Sequence, residues 1–360
     1  AKRVEEGICV CTDDRGLKSA RKSKSCRVES GRHLMRQFRK AGRGLRASAW
    51  LLGLYMVFYS LPAFGETAEG LLTPEEIREN IYCSSMITDS VYLMVGDRGH
   101  MYRSEDGGKL WKEIDSGVRV PLFSVTFPDA EHGWICGKSG LILHTSDGGI
   151  TWQKQPKAVE RHLFSISFGD LQQGCAIVDW GAVVVTSDGG KTWKDATLEE
   201  DVNLYGVCLR GGGVGYMVGE FGRIFRTEDG GLTWTEITSP AEQTMFCLSR
   251  NGTSWFAAGL DGVIIVSFDD GETWERLDTG VTESLYEIAV RADVGWAVGD
   301  VGTVLTTTDG GRTWRHVEVP VKKRLYWIGT LSLSRGSGKT GFGAGANGIY
   351  VGIQESKLTW

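Results

Sequence analysis

"TSDGGITW" (residues 145–152) decides the fold, because close copies of this string return along the chain at an even spacing. Six copies can be aligned, and in each the aspartate is followed five residues later by a tryptophan. The steps between copies are 40 or 41 residues. A period near forty in a chain rich in glycine and β-branched residues predicts one four-stranded propeller blade per copy. The aligned residues are Asp106, Asp147, Asp188, Asp229, Asp269 and Asp309, with Trp111, Trp152, Trp193, Trp234, Trp274 and Trp314.

Each repeat divides into four predicted strands, A to D. Strand A is a short apolar run such as "LFSVTF" (122–127), with relatives at 81–86, 163–168, 204–209, 245–250, 285–290 and 325–330. Its third residue is mostly small, which suits innermost strands that converge on the axis, and only Glu287 and Trp327 depart from this rule. Strand B ends in Gly-x-x-Gly, as in "GKSG" (137–140), which predicts a two-residue hairpin turn with positive φ.

Seven A-to-B units are present but only six complete aspartate strings, so the last blade needs an outer strand from elsewhere. We expect residues 358–360 or the segment 67–75 to supply it. The predicted architecture is all-β, a seven-bladed β-propeller of four-stranded antiparallel blades with Asp-box loops, over residues 66–360.

The repeated pattern Ser/Thr-x-Asp-x-Gly-x-x-Trp is the Asp-box, which we interpret as the hairpin loop between strands C and D. Its carboxylate can accept turn N–H groups, its hydroxyl can satisfy nearby backbone and its tryptophan can bury apolar surface between strands. Six near-identical copies cannot all be active sites of one enzyme. One carboxylate per loop is also far below the six to eight oxygen ligands that calcium prefers. The sequence therefore predicts structural loops and no metal or cofactor site.

The first part of the chain has the composition of a targeting segment. Residues 1–46 carry 14 Lys and Arg against 5 Asp and Glu, and "ASAWLLGLYMVFYSL" (47–61) contains no charge. Fifteen apolar residues suit a signal-peptide core better than a membrane span. We predict a signal peptide at 35–65, cleaved after Gly65, and interpret 1–34 as a non-native or leader extension. These features predict export of the protein to the periplasm or thylakoid lumen. The alternative is that the signal segment stays uncleaved and anchors the protein.

The rest of the chain is acidic and holds five cysteines. A net charge of −14 over 47–360 argues against nucleic acid as the main partner. Five is an odd number and the body has no Cys-x-x-Cys pair, so neither a disulfide framework nor a zinc site is predicted. Each cysteine falls within a strand pattern, which favours a buried, small apolar side chain.

With the repeats aligned, the body resembles the photosystem II stability/assembly factor propellers, within the wider Asp-box class. The units "GYMVGEFGRIFRTEDGGLTW" (215–234) and "GWAVGDVGTVLTTTDGGRTW" (295–314) carry the resemblance, which spans about 80–352. It implies a lumenal or periplasmic propeller that binds other proteins during assembly of a membrane complex. It also implies no catalysis, no cofactor and no small-molecule substrate, and we expect a monomer.

The alternative is a glycan-acting enzyme of the sialidase type. That chemistry needs an arginine cluster for the substrate carboxylate, a tyrosine nucleophile with a glutamate partner, and an aspartate as acid and base. The Arg-Ile-Pro signature of that family is absent before the first Asp-box, and "RVPLF" (119–123) lies after it. A sialoside assay separates the two hypotheses.

The topology predicts where a partner would bind. If strand A crosses the ring from one face to the other, the D–A and B–C connections share one face and the Asp-boxes lie on the opposite one. Turn-forming residues and solvated charges explain much of the composition there, but two aromatic residues on adjacent hairpin tips indicate a docking surface. The candidate partner-binding residues are Arg98, Arg119, Lys138, Arg161, His162, Trp180, Phe221, Lys323 and Arg324.

Overall fold

The structure is a computed structural model, and it describes residues 70–199, 201–319, 327–334, 338–354 and 357–359. These residues belong to one compact unit, 64–360. The predicted leader and signal peptide (1–65) lie outside the described residues, as do Lys323 and Arg324.

The described strands form seven antiparallel sheets arranged as a β-propeller, and each sheet is built from consecutive strands A to D. Strands are numbered in chain order. The innermost A strands are β2 (Ile81–Met86), β6 (Leu122–Thr126), β10 (Leu163–Phe168), β14 (Leu204–Leu209), β18 (Met245–Asn251), β22 (Leu285–Arg291) and β26 (Ile328–Leu333). The B strands are β3 (Tyr92–Gly96), β7 (Gly133–Gly137), β11 (Gly174–Val178), β15 (Gly215–Gly219), β19 (Ser254–Gly259), β23 (Val294–Gly299) and β27 (Thr340–Gly345).

The outer half of each blade holds the shorter strands. The C strands are β4 (Met101–Ser104), β8 (Ile142–Thr145), β12 (Val183–Thr186), β16 (Ile224–Thr227), β20 (Ile264–Ser267), β24 (Val304–Thr307) and β28 (Tyr350–Gln354). The D strands are β5 (Trp111–Glu113), β9 (Gln153–Lys154), β13 (Lys194–Asp195), β17 (Thr235–Ile237), β21 (Glu275–Leu277), β25 (Arg315–His316) and β29 (Lys357–Thr359). A short strand β1 (Leu71–Leu72) precedes them, followed by a 3-10 turn at Pro74–Glu76.

The hydrophobic core is divided among the blade interfaces. Among the described residues, buried apolar side chains form seven clusters, and each cluster joins one blade to the next. An aromatic residue stands within the first three positions of strand B in six blades, and Trp134, Trp255 and Trp296 are among the largest fully buried side chains. Both faces of every B strand are therefore covered by neighbouring blades. This explains why strand B lacks the polar alternation of a half-exposed strand.

The two candidate closing segments both form outer strands, but on different blades. β29 is the outer strand of blade 7, where Lys357 to Thr359 pair with β28. β1 instead pairs with β5 and makes a fifth strand on blade 1. Blade 7 is thus completed by the C-terminal segment, and the segment at 71–72 extends the neighbouring blade.

Strand A of blade 7 lies three residues later than predicted. The sequence pattern placed it at 325–330, whereas the structure has β26 at Ile328–Leu333, with Ile328 opposite Gly345. The third residue of this strand is therefore Thr330 and not Trp327. The prediction failed because "LYW" imitates the apolar start of the other A strands. The corrected register restores a small residue at this position and leaves Glu287 as the exception.

Strand pairing separates two faces of the ring. The pairing of Leu122 with Gly137 places the start of strand A beside the end of strand B, and equivalent pairs occur in every blade. We call the face formed by the B–C hairpin tips and the residues before strand A the tip face. The aspartate loops hydrogen-bond to the A–B connections, as Gly148 N does to the Glu131 carbonyl at 2.8 Å. They form the opposite face, which we call the loop face.

The hydrogen bonds predicted for the aspartate loops are present. In the loop at 145–152, the Thr145 hydroxyl donates to Asp147 at 2.7 Å and accepts the Gly149 N–H at 3.1 Å. The Asp147 carboxylate also accepts the backbone N–H groups of Ile150 and Thr151 at 3.0 and 2.9 Å. Gly148 and Gly149 have φ of 71° and 82°, which explains the two glycines. The hydrogen bonds of the aspartate and of the hydroxyl two residues before it stay within the loop, and the Gly148 N–H links the loop to the A–B connection.

Blade 5 carries a variant of this loop. Asp270 stands where the other loops have their first glycine, and it adopts a φ of 62°. Its carboxylate binds the Arg210 guanidinium of blade 4 through two bonds of 2.9 and 2.7 Å, and Trp255 Nε1 donates to it at 3.1 Å. The substitution therefore links two neighbouring blades through a charged pair.

Candidate functional site

The hairpin tips of the tip face are two-residue turns with a strained first residue. In blade 1, the His100 N–H bonds to the Asp97 carbonyl at 2.9 Å across Arg98 (φ 50°) and Gly99 (φ 83°). Positive φ at both central residues defines a type I′ turn, as the Gly-x-x-Gly pattern predicted. The strained residue is the one before the second glycine, whatever its type. In the seven blades it is Arg98, Ser139, Trp180, Phe221, Asp261, Val301 and Asn347.

Three of these strained positions hold large apolar side chains that face solvent. Trp180, Phe221 and Val301 have φ of 59°, 57° and 51° and are 79%, 75% and 53% exposed. A bulky or β-branched residue in the left-handed region costs on the order of 1–2 kcal/mol. Neither turn geometry nor burial favours these residues at these positions. These exposed apolar tips make the tip face the candidate interaction surface.

The structure brings most of the predicted partner-binding residues to the tip face. The Arg161 side chain binds the tip of the next hairpin through Asp179, with Nε to Oδ1 at 2.5 Å. His162 Nδ1 accepts the backbone N–H of Ser139 at 3.3 Å. These contacts show that the residues before strand A and the tips form one surface. Also exposed on this face are Arg98, Arg119, Lys138, Trp180 and Phe221.

An aromatic collar surrounds the axis on the same face. None of its residues was among the candidate partner-binding residues predicted from the sequence. Within it the rings of Phe123 and Phe164 have centroids 5.4 Å apart, and those of Tyr205 and Phe246 are 5.6 Å apart. Six members are the second residue of strand A, and the seventh precedes β26. The collar consists of Tyr82, Phe123, Phe164, Tyr205, Phe246, Tyr286 and Trp327.

A β-bulge positions six of the seven collar residues. In blade 2, Leu122 pairs with Gly137 and Ser124 pairs with Cys136, so Phe123 is the extra residue of the inner strand. The same register shift occurs in all seven blades. Bulges re-aim side chains away from the regular alternation of a strand. In blade 7 the bulged residue is Gly329, and the Trp327 ring covers its Cα, where a Cβ would meet Cζ3 at 2.4 Å.

Below the collar, the third residues of the A strands line the centre of the ring. Glu287 is the one carboxylate among them, beside the thiols of Cys83 and Cys247. Burial raises the pKa of Glu287 to about 8, although the Ile288 N–H at 3.2 Å and the Arg291 charge favour ionisation. Burial also raises the pKa of Cys83 to about 11. These thiols are free, and their protonated form makes them poor nucleophiles.

Nothing among the described residues resembles a metal centre or a membrane helix. In this part of the chain no group of three or more His, Cys, Asp or Glu side chains is arranged to hold a metal ion. Over the same residues, no helix has the length and apolar character needed to cross a bilayer. The candidate site is the tip face, because its hairpin tips expose Trp180, Phe221 and Val301.

Comparisons with known proteins agree with this architecture. The model of a family described as "Photosynthesis system II assembly factor YCF48" matches residues 75–200, 152–239 and 193–284. The chain is similar to the Photosystem II assembly protein Ycf48 of Synechococcus sp. (strain JA-3-3Ab), with 28% identity over 116 residues. That match covers 31% of this chain and 35% of the relative, so it spans about a third of the relative's length.

Solved structures of similar fold include binding proteins and enzymes. A structure described as YCF48 bound to D1 peptide has a TM-score of 0.63 and 23% identity, and covers 77% of this chain and 94% of its own. A GH74 xyloglucanase from Xanthomonas campestris has a TM-score of 0.65 and 12% identity, and covers 78% of this chain and 52% of its own. At these identities the two structures show the fold alone.

The fold and its repeats define the class, a seven-bladed repeat propeller with an elaborated tip face. The family model matches within 75–284, which is more than half of the chain. The chain belongs to the family of the photosystem II assembly factor YCF48.

Proposed function

We propose that this protein is a non-catalytic assembly factor that binds a protein partner through its tip face. One observation carries the proposal. Trp180 and Phe221 occupy strained tips of neighbouring blades and are largely exposed. Aromatic side chains on a surface are the anchors that most often dominate protein–protein binding. Family membership and the peptide-bound relative support the same function.

The proposed client is a subunit of a membrane complex, namely photosystem II in an organism that has one. The family description and the name of the Synechococcus relative support this client. We further propose that the protein is exported to the periplasm or thylakoid lumen, where it acts as a monomer. The apolar run at 47–61 and the small residues Ala63 and Gly65 support export.

A capture experiment tests the binding face. We expect the double variant Trp180→Ala, Phe221→Ala to keep its melting temperature, because losing exposed side chains changes stability by at most about 0.5 kcal/mol. Immobilised wild-type protein should capture membrane-complex subunits from a solubilised membrane extract, and the variant should lose at least about nine-tenths of them.

The matched control lies on the loop face. Leu110→Ala with Ile150→Ala removes two exposed apolar side chains there and should leave capture unchanged. Equal capture by the tip variant and the wild type would contradict the proposed site. Turnover of a fluorogenic sialoside or of xyloglucan by the wild-type protein would contradict the absence of catalysis.

A further inference from the structure

Charged residues are distributed unevenly around the tip face. At the tips and in the three residues before strand A, blades 1 to 3 jointly carry five lysines and arginines and four aspartates and glutamates. At the same described positions, blades 4 to 6 carry six anions and no cation. We call these six residues the acidic crescent: Asp201, Glu220, Glu242, Asp261, Glu283 and Asp300.

The crescent carboxylates are not neutralised within the described part of the protein. Among the described residues, no ion pair joins any of the six to a lysine, arginine or histidine. Glu220 accepts only neutral donors, Asn203 Nδ2 at 3.1 Å and the Tyr205 hydroxyl at 3.4 Å. Glu242 and Asp261 are exposed. By contrast, Asp179 in blade 3 is bound by Arg161.

Apolar groups lie among these charges. Phe221, Leu260 and Val301 are exposed on the same three tips, at 75%, 37% and 53%. The inner edge of the crescent is the part of the collar formed by Tyr205, Phe246 and Tyr286, whose neighbouring centroids are 5.6 and 5.7 Å apart. The Glu220 carboxylate lies 3.4 Å from the Tyr205 hydroxyl, and burial, followed by this charge, raises the pKa of Tyr205.

A surface that alternates carboxylates with aromatic faces suits one chemistry. Lysine and arginine are attracted both to carboxylates and to the faces of aromatic rings, and apolar residues between them can pack on exposed rings. An acidic ligand would meet uncompensated like charge there, which opposes binding. We propose that the acidic crescent binds a basic, apolar-rich extended segment of the partner protein. This inference rests on the proposed function and names the chemistry of the segment it recognises.

A set of three synthetic peptides tests the proposal directly. The probe is a fluorescein-labelled 12-residue peptide with four lysines flanking a Phe-Leu-Phe centre. The second peptide replaces the lysines with glutamates, and the third replaces the centre with Gly-Ser-Gly. In fluorescence anisotropy titrations at about 0.1 M salt, where screening acts beyond about 10 Å, we expect the probe to bind at least tenfold tighter than either of the others.

Protein variants locate the binding. Glu242→Lys with Asp261→Lys should weaken probe binding at least fivefold and should bind the glutamate peptide better than the wild-type protein does. The matched control is Glu131→Lys with Glu275→Lys, which makes the same charge change at exposed residues of the loop-face end and should alter probe binding less than twofold. Melting temperatures verify that each variant is folded.

Three results would overturn the inference: equal binding of the Gly-Ser-Gly peptide, equal weakening by the control variant, or no probe binding below about 1 mM. Each leaves the proposed function standing if Trp180 and Phe221 are still required for capture of membrane subunits. Conversely, probe binding at the acidic crescent without capture of any subunit would contradict the proposed function and would still support the crescent as a binding surface.

Discussion

At the residue scale, Glu287 is the most unusual titratable group, because it is a half-buried carboxyl beside the thiols of Cys83 and Cys247 in the centre of the ring. Its pKa is raised by burial from 4.5 to about 8. Between these two values the unfolded chain has released the proton while the folded protein retains it. The contribution of this group to stability is therefore present below about pH 4.5 and is lost as pH rises to about 8.

We expect Glu287→Gln to remove this pH dependence. The variant should equal the wild type at pH 4 and exceed it at pH 8 by about 4 kcal/mol, or roughly 8 °C in melting temperature. Thermal melts monitored by circular dichroism across this range measure the difference. Glu275→Gln, on the exposed outer strand β21, is the control and should show a constant difference. If Glu287→Gln became less stable than the wild type towards pH 8, the raised pKa of Glu287 would be contradicted.

The residue scale also shows what the sequence could not reveal. An aromatic second position is visible in all seven sequence runs aligned as strand A, yet regular strand alternation gives no reason for the side chain at Phe123 to reach the tip face. The bulge between Leu122 and Ser124 turns it there. A bulge depends on pairing with strand B and has no local sequence signature here. Trp180 and Phe221 were predicted because Gly-x-x-Gly defines the turn locally.

At the element scale, the aspartate loop is the unit that could be predicted most completely, because the hydrogen bonds of its aspartate and of the hydroxyl two residues earlier are local. The Thr192 hydroxyl donates to the second oxygen of Asp188 at 2.6 Å, and the Thr186 hydroxyl donates to the first at 2.8 Å. The hydrogen bond from Thr192, followed by that from its backbone N–H, lowers the pKa of Asp188 to about 2. The equivalent bonds from Thr273 lower the pKa of Asp269 to about 2.

We expect Asp188→Ala to lower the urea concentration at the midpoint of unfolding, because the turn loses the acceptor for its backbone N–H groups. Urea unfolding measures the change, and Glu131→Ala, at an exposed residue of the same face, should cost less than about 0.5 kcal/mol. Since depressed carboxyl pKa values stabilise the fold only while the groups are ionised, the wild-type protein should lose stability as pH falls from about 4 to 2. Equal stability of Asp188→Ala and the wild type would contradict the loop's structural role.

Strand boundaries show the limit of prediction at this scale. Strand A of blade 7 was placed three residues early because Leu325, Tyr326 and Trp327 match the apolar pattern that begins the other A strands. The register is decided by long-range pairing of Ile328 with Gly345, which the local pattern does not contain. Likewise, the strands with which β1 and β29 pair depend on which blade edges are unpaired once the ring has formed.

At the scale of the whole molecule, the ring depends on the contact between its first and last blades. The Ser84 hydroxyl in β2 lies 2.8 Å from the Thr330 hydroxyl and 2.9 Å from that of Ser332 in β26. On the outer side, the Tyr350 hydroxyl donates to the Gly108 carbonyl at 2.8 Å. These blades are joined by packing and side-chain hydrogen bonds, since β29 completes blade 7 from its own segment of chain.

We expect Ser84→Ala to lower stability by about 1–2 kcal/mol, because it leaves two buried hydroxyls of blade 7 without their shared partner. Differential scanning calorimetry should show the shift as a single transition, since the blades unfold together. Ser85→Ala, at the next residue of the same strand but less buried, should have less than about a third of this effect. The same loss at both positions would show that strand packing, and not the hydroxyl network, joins the ring.

The central claim is that the tip face contacts a protein of a membrane complex. Site-specific photocrosslinking in the native organism tests it most directly, with p-benzoylphenylalanine in place of Phe221 on the tip face or Ile150 on the loop face. Both side chains are more than half exposed, at 75% and 54%. We predict that the probe at 221 forms crosslinks to one or a few subunits of a membrane complex and that the probe at 150 does not. Crosslinks to such subunits from position 150 but not from 221 would contradict the account.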